Sequence, residues 1–312
     1  MERLTENKII LVRRKTRLAE LIVRFNTIEQ AKFYVEHLGA DFSDYLKEHR
    51  QYEAAVNQSS VIISRIGRLQ VVDRAFLPNF IFGKEDIVVV VGQDGLVANT
   101  LKYLSDQPVI GVNPDPLRWE GILLPFAVGD LEKITPEVLK DTRAIQEVSM
   151  AKAALNDGRV LYAVNDFFIG QKTHVSARYQ INWNNRSEQQ SSSGIIVSTG
   201  LGATGWLKSV LAGAAGITGS VLSKAVKIGL DENFHWDSDY LYYSVREPFP
   251  SKQSGAKLVF GKVTKKQPLI VLSQMPESGV IFSDGIESDF LEFRSGSQAT
   301  ITVAEKKGRM VI

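Results

Sequence analysis

The chain has 312 residues, enough for about two domains with cores of their own, and 37 Lys and Arg nearly balance 35 Asp and Glu. A formal charge of +2 gives no basic field of the kind that condenses on nucleic acid or anionic lipid, so a general DNA or RNA binder is disfavoured. The absence of cysteine removes disulfides, zinc–thiolate sites, iron–sulfur clusters and a thiol nucleophile.

No apolar run reaches the roughly 18 to 20 residues that cross a bilayer. Glu2 and Glu6 stand where a signal or transit peptide avoids acid, so a cytoplasmic location without membrane contact is expected. The histidines show no HxxxH or HxxH spacing, and no protein-ligated metal is expected.

In chain order, KIILV (8–12) reads as a buried strand. TIEQAKFYVEHLG (27–39) reads as a helix, with Thr27 and Gln30 as a capping box and Gly39 at its stop, and a second helix is predicted over 43–57. LQVV (69–72), DIVVVV (86–91) and PVIGV (108–112) are three more strand candidates, short and apolar on both faces, as in a helix-covered parallel sheet. Strand and helix in alternation predict an open, Rossmann-like α/β domain over residues 1–113. Arg13, Arg14, Lys15 and Arg17 follow the first strand, at the edge where phosphates arrive in such a sheet, but a charge run there reads first as a solvated strand end.

Two prolines in NPDP (113–116) mark the expected seam. Beyond it the period becomes two: LYAVNDFFIG, HVSARYQINW, GIIVST, KLVFGKV, PLIVLSQ, GVIFSDG and ATITVAE predict a β-rich domain over 114–312, a β-sandwich or folded-over sheet with a helical insert at about 204–226. RSEQQSSSG (186–194) stands out as a polar tract.

Candidate site residues cluster in the loops. VVVVGQDGLVANT (88–100) is a strand, a loop bracketed by Gly92 and Gly95, and a helix beginning near Leu96. Ligands bind beyond the carboxyl ends of strands in an open α/β sheet. Glycines there let backbone N–H groups turn to a phosphate, and the helix N-terminus favours an anion. A carboxylate beside a phosphate, here Asp94, either touches a magnesium ion or takes a proton from an attacking hydroxyl; a plain Asp-Gly turn is the alternative. IIVSTGLGATGWLKSV (195–210) repeats strand, Gly/Thr loop and helix, with Ser198, Thr199 and Thr204 as donors and Trp206 as a ring platform. Asn165 and Asp166 follow the strand LYAV, and Asp284 with Gly285 reads as a β-turn. Trp119 and Trp183 read as packing residues.

Taken in order, VGQDG, GVNPD, ND, SSGIIVSTGLGATGW, VREPFP and SDG resemble the NAD kinase family, part of a larger group with the diacylglycerol and sphingosine kinases. RRKTRLAELIVRF and GVNPDPLRWEGIL resemble in particular the branch that includes the mitochondrial NAD kinases. The resemblance covers nearly the whole chain and implies an N-terminal α/β domain, a C-terminal β-rich domain and a site in the cleft between them. It also implies that Asp94 serves the 2′-hydroxyl of the NAD adenosine ribose, that Asn165 and Asp166 bind the adenine and ribose region, and that Ala203, Thr204, Gly205 and Trp206 hold a ring. Gln93, Leu96 and Ser193 depart from the family's glycine, threonine and frequent acid.

The resulting expectation is a phosphotransferase that moves the γ-phosphate of ATP, or of polyphosphate, to the 2′-hydroxyl of NAD with Mg2+, giving NADP, in a homodimer or homotetramer. Its nucleotide contacts would be Gly92, Gly95, Asn165, Asp166, Thr199, Thr204, Gly205 and Trp206. The alternatives are a nucleotide-binding sensor or partner protein that has lost transfer, and a kinase acting on a lipid or other small alcohol.

Overall fold

The computed structural model describes residues 3–312. They divide into two compact units, one running to Gln146 and completed by Gly308–Ile312, the other covering Glu147–Lys307.

The first unit is built on a parallel sheet. Strand β1 (Lys8–Arg13) pairs in parallel with β2 (Arg68–Asp73) on one side and β3 (Ile87–Val91) on the other; β4 (Pro108–Val112) pairs in parallel with β3. The chain therefore leaves β1, returns as β2 at one flank, and reappears as β3 at the opposite flank. That reversal makes the carboxyl ends of β1 and β3 a topological switch point. Arg309 and Met310 extend the sheet by pairing in parallel with Pro108 and Val109. Every residue of β3 is buried, as its β-branched composition demands, whereas β2 is an edge strand with Val71 44% exposed, so LQVV is not covered on both faces.

Helices cover this sheet. α1 (Arg17–Phe25), which periodicity alone did not single out, starts at Thr16, whose hydroxyl accepts from Ala19 N; α2 (Ile28–His37) starts at Thr27, which accepts from Gln30 N as expected. α3 (Phe42–Ile66) runs well past residue 57, and its inner face brings Tyr52, Ala55, Val56, Ile62, Ile63 and Ile66 onto β1 and β3. α4 (Asp94–Leu101) follows β3, and α5 (Leu131–Leu139) adds Ile134 and Val138 to the cluster that holds Ile62 and Ile63.

The division between units does not fall at residues 113–116. Asn113 N donates to Phe126 O (2.8 Å), Asn113 Nδ2 to Trp119 O (3.0 Å) and Gln51 Nε2 to Pro114 O (3.0 Å), so the two prolines shape a loop that folds back on β4. Gly111 permits that approach, since a Cβ there would stand 1.9 Å from Leu123 O. Prolines interrupt regular structure, and here they do so inside a unit.

The second unit is antiparallel. One sheet pairs β13 (Leu269–Ser273) with β16 (Gln298–Val311) and β8 (Ala177–Trp183), and β8 with β9 (Arg186–Ser192); β5 (Ile145–Leu155) and β6 (Val160–Ala163) pair beside it. The other runs in the order β12 (Phe260–Thr264), β11 (Tyr240–Val245), β10 (Ile195–Ser198), β7 (Asp166–Gln171), β14 (Gly279–Ser283), β15 (Ile286–Glu292). One apolar cluster takes alternate residues from both sheets, among them Tyr179, Ile181, Val271 and Ile301 from the first and Phe167, Ile169, Val197, Tyr243 and Ile281 from the second. The polar tract at 186–192 is the edge strand β9, and LYAVNDFFIG is two strands with a turn at Val164–Asn165. The helical insert is α6 (Trp206–Leu222), which buries only Leu207.

Candidate functional site

The sequence-predicted residues fall into two groups, one in each unit. In the first, α4 begins at Asp94 itself, two residues earlier than expected, with Gln93 as its N-cap in an extended conformation and no side-chain capping bond. Asp94 thus sits in the first turn, where the helix favours negative charge. Its Oδ1 accepts from Leu123 N at 2.7 Å, and its Oδ2 carries no partner among the described residues. Leu96 is buried, and a Cβ at Gly92 would stand 2.8 Å from Leu96 Cδ2, so the leucine fills the space over the loop. Gly95 is different: it has no atom within 4 Å of a built Cβ, and nothing in the protein demands a glycine there.

Tyr52 ties the switch point together. Its hydroxyl donates to Val91 O at the end of β3 (2.8 Å) and accepts from Arg14 N just past β1 (2.8 Å). Burial pushes its phenol up to about 12, which keeps the hydroxyl protonated and able to donate. The basic run after β1 is only partly a solvated strand end. Arg14 pairs with Glu48 (3.0 Å), while Arg17 reaches both Glu48 (2.5 Å) and Asp44 (2.8 Å). Arg118 holds Asp44 from the opposite side at 2.5 Å, and hydrogen bonds from Arg118 and Arg17 keep the Asp44 carboxyl well below the usual range. Asp44 and Glu48, four residues apart on one helix face, were the sequence signal for this network.

In the second unit the backbone around Asn165 and Asp166 is fixed from two sides. Asp284 Oδ1 accepts from Val164 N (3.0 Å), Asn165 N (2.7 Å) and Asp166 N (3.3 Å), and Asp284 N donates to Asp166 O (3.0 Å). Asp284 adopts φ +54°, a left-handed turn position that Asp tolerates. It shapes a turn, as expected, and also anchors the neighbouring strand. Thr199 works from the other side: its Oγ1 donates to Val164 O (2.6 Å), its N to Asn165 O (2.9 Å), and its Oγ1 accepts from Gly202 N (3.1 Å). Gly202 is required by that approach, because a Cβ there would lie 2.1 Å from Asn165 O. The Thr199 hydroxyl is fully buried and committed to backbone, so it builds the turn rather than facing a ligand.

The side chains of Asn165 and Asp166 are left over. Neither makes a side-chain hydrogen bond among the described residues. Burial, reinforced by the charge of Asp284, raises the Asp166 carboxyl to about 7. A half-buried acid with a spare carboxyl and a raised pKa is a mark of functional sites.

Thr204 and Gly205 lead into α6, the Thr204 hydroxyl donating to Leu201 O at 3.3 Å. Trp206 is 37% exposed and stacks on Phe168 with centroids 5.8 Å apart and planes at 16°, while the Arg246 guanidinium lies 5.4 Å over its ring. Phe168 in turn stacks on Phe282 at 6.4 Å. Phe168 and Arg246 were not singled out from sequence, although Phe168 lies within NDFFIG and Arg246 within VREPFP. Ser193 is exposed, and its N donates to Arg246 O at 3.0 Å. Trp183 packs edge-on against Tyr243 and donates to Lys262 O, a structural position as expected. Among the described residues no three His, Asp or Glu side chains gather to hold a metal, and no helix is long and apolar enough to cross a membrane.

This architecture is the two-domain NAD kinase fold, a parallel α/β unit followed by an antiparallel β-rich one. An NAD kinase from Archaeoglobus fulgidus, solved in complex with ATP, superposes with a TM-score of 0.54, covering 98% of this chain and 93% of that one at 15% identity. Yeast NADH kinase, solved with NADH, gives a TM-score of 0.55, covering 98% of this chain and 84% of that one at 13% identity. In sequence, the chain is similar to a probable NADH kinase of Oryza sativa subsp. japonica, 26% identical over 217 residues. That match takes in 64% of this chain and spans 63% of the relative's length. No family model matches the chain. The resemblance to the NAD kinases carried by the ordered motifs is thus shared by sequence and fold.

Proposed function

We propose that the protein is an NAD kinase-type phosphotransferase, transferring the γ-phosphate of ATP or of polyphosphate to the 2′-hydroxyl of the adenosine ribose of NAD to give NADP. The observation that carries this reading is Asp94: one carboxylate oxygen fixed by Leu123 N–H, the other spare, in the first turn of a helix that opens at the switch point of a parallel sheet. In the transfer Asp94 Oδ2 accepts the proton of the 2′-hydroxyl, the ribose oxygen bonds to the γ-phosphorus, and the bond between the β-bridging oxygen and that phosphorus breaks to release ADP, or polyphosphate shortened by one unit. Mg2+, when bound with the donor, neutralises phosphate charge. It would take waters and donor-phosphate oxygens as its ligands, which leaves Asp94 Oδ2 free to accept the proton.

The other residues position the dinucleotide. Asn165 and Asp166, their backbone locked and their side chains spare, fit the hydroxyls and amines of an adenosine, and Trp206 offers a ring face to a base. Gly95, which the fold does not require, gives a phosphate close access to backbone. Thr204 and Gly205 shape the approach to Trp206. A cytoplasmic location and assembly as a homodimer or homotetramer belong to the same proposal, the latter supported by Ile217, Val221 and Leu222, which α6 leaves exposed.

Purified protein given NAD, Mg2+ and either ATP or polyphosphate is expected to form NADP. Failure with both donors, alongside calorimetric binding of NAD, would favour a sensor that binds the dinucleotide without transferring phosphate.

A further inference from the structure

A cavity of about 820 Å³ lies in the first unit between α3 and the loop after β4. Its size is within the roughly 300–1,000 Å³ of small-molecule sites. Ser43, Leu46, Lys47, Arg50 and Gln51 line one wall, and their spacing is that of a single helix face; Asp115 to Arg118 line the other. The charges of this cavity are unequally occupied. Arg118 is held by Asp44 and Asp115, and the Ser43 hydroxyl donates to Asp41, but Lys47 and Arg50 have no ion-pair partner among the described residues. Lys47, Arg50 and Arg118 face one lining carboxylate, Asp115, which is itself paired with Arg118, so the cavity carries a net positive charge in a chain whose overall charge is nearly balanced.

The wall opposite is not a loose loop. Gln51 Nε2 ties Pro114 O to α3, the bidentate contact of Arg118 on Asp44 ties the far end, and the same loop continues to Leu123, whose N–H orients Asp94. Cavity and Asp94 therefore share one preorganised segment at the carboxyl edge of the sheet. We propose that this cavity binds the polyphosphate chain of the phosphoryl donor, with Lys47 and Arg50 meeting its terminal oxygens and exposed Leu117 forming the apolar rim. The assignment of the bound chain as donor rests on the kinase reading above; the binding of a phosphate chain does not.

The test is calorimetry on the full-length protein with inorganic tripolyphosphate and, separately, ATP, comparing the wild type with Lys47→Ala/Arg50→Ala and with the charge-keeping Lys47→Arg/Arg50→Lys. The neutral variant is expected to lose at least about ten-fold in affinity for both probes. The charge-keeping variant should retain most of it, and NAD should bind all three proteins alike. Tighter binding of ATP than of tripolyphosphate identifies a nucleoside triphosphate as the source; equal binding identifies the bare chain. Wild-type protein that does not bind tripolyphosphate, or a neutral variant with unchanged affinity and an unchanged melting curve, overturns the proposal. Tripolyphosphate binding that depends on Lys47 and Arg50 without any NADP formation would leave this site standing and remove the kinase reading instead.

Discussion

In the second unit, Asp284 and Thr199 spend their polar atoms on the backbone of Val164–Asp166, and Gly202 is pinned by its approach to Asn165 O. In the first unit, the loop from Gly92 to Gly95 has a single side-chain anchor, Asp94 on Leu123 N, and a glycine at 95 that meets nothing. Two stretches that look alike as strand, glycine-rich loop and helix are thus maintained for different reasons. Where every polar group already has an intramolecular partner, a motif residue holds shape; where a carboxylate oxygen or an open glycine is spare, the physical reason lies in something that binds. By that measure Thr199, Gly202 and Asp284 fix the backbone of Val164–Asp166, while Asp94 Oδ2, the side chains of Asn165 and Asp166 and the open space beside Gly95 are not used by the fold.

The largest effect separating the two regions should come from Asp94→Asn. The amide oxygen still accepts from Leu123 N–H, so the melting temperature should hold within about 2 °C, while NADP formation falls at least about 100-fold. Retained activity would remove the contrast. Asp284→Ala should show the opposite pattern: it strands N–H groups of Val164, Asn165 and Asp166, costing about 2–4 kcal/mol, seen as a melting temperature lower by roughly 5–10 °C.

Next in size is the pH response of Asp166. Its folded carboxyl titrates near 7 against an ordinary 3.8, so the fold holds a proton that the unfolded chain releases. The stability this contributes is complete below the ordinary value and is lost as pH rises through 7. Asp166→Asn should therefore flatten the stability curve over that interval and melt higher than wild type at pH 8, by roughly 1–2 kcal/mol or ~5 °C. Equal pH dependence in the two proteins would mean that Asp166 is charged in the fold. The smallest stability change belongs to Gly95→Ala, which enters open space in the first turn of a helix and should alter stability by less than about 1 kcal/mol. A weaker affinity for ATP or NAD in this well-folded variant would sharpen the contrast.

Much of this was legible in the sequence because it rests on local periodicity. The all-apolar IVVVV could only be a covered strand, the Thr27 hydroxyl of the expected capping box caps α2 through Gln30 N, and the period-two runs from LYAV onward form strands of the antiparallel unit, although the sequence puts the switch at residue 113. What failed to show were long-range pairings. The prolines of NPDP read as a seam because nothing in sequence tells that Gly111 admits Leu123 O, or that Gln51 and Phe126 hold the loop down. Asp284 read as a turn residue because its partners lie about 120 positions away. The arginines after β1 read as solvated because Asp44 and Glu48 meet them only after α3 turns back. Edge exposure escaped for the same reason: Val71 is apolar and still lies on an outer strand.

A crystal structure of the protein with NAD bound would test the central claim most directly, through the distance from the adenosine-ribose 2′-oxygen to the carboxylate of Asp94. A separation of about 2.6–3.2 Å, with Asn165 or Asp166 hydrogen-bonded to the adenosine, is the result expected. A dinucleotide whose 2′-oxygen lies well outside hydrogen-bonding reach of Asp94, with another group beside it, would contradict the assignment of Asp94 as the base.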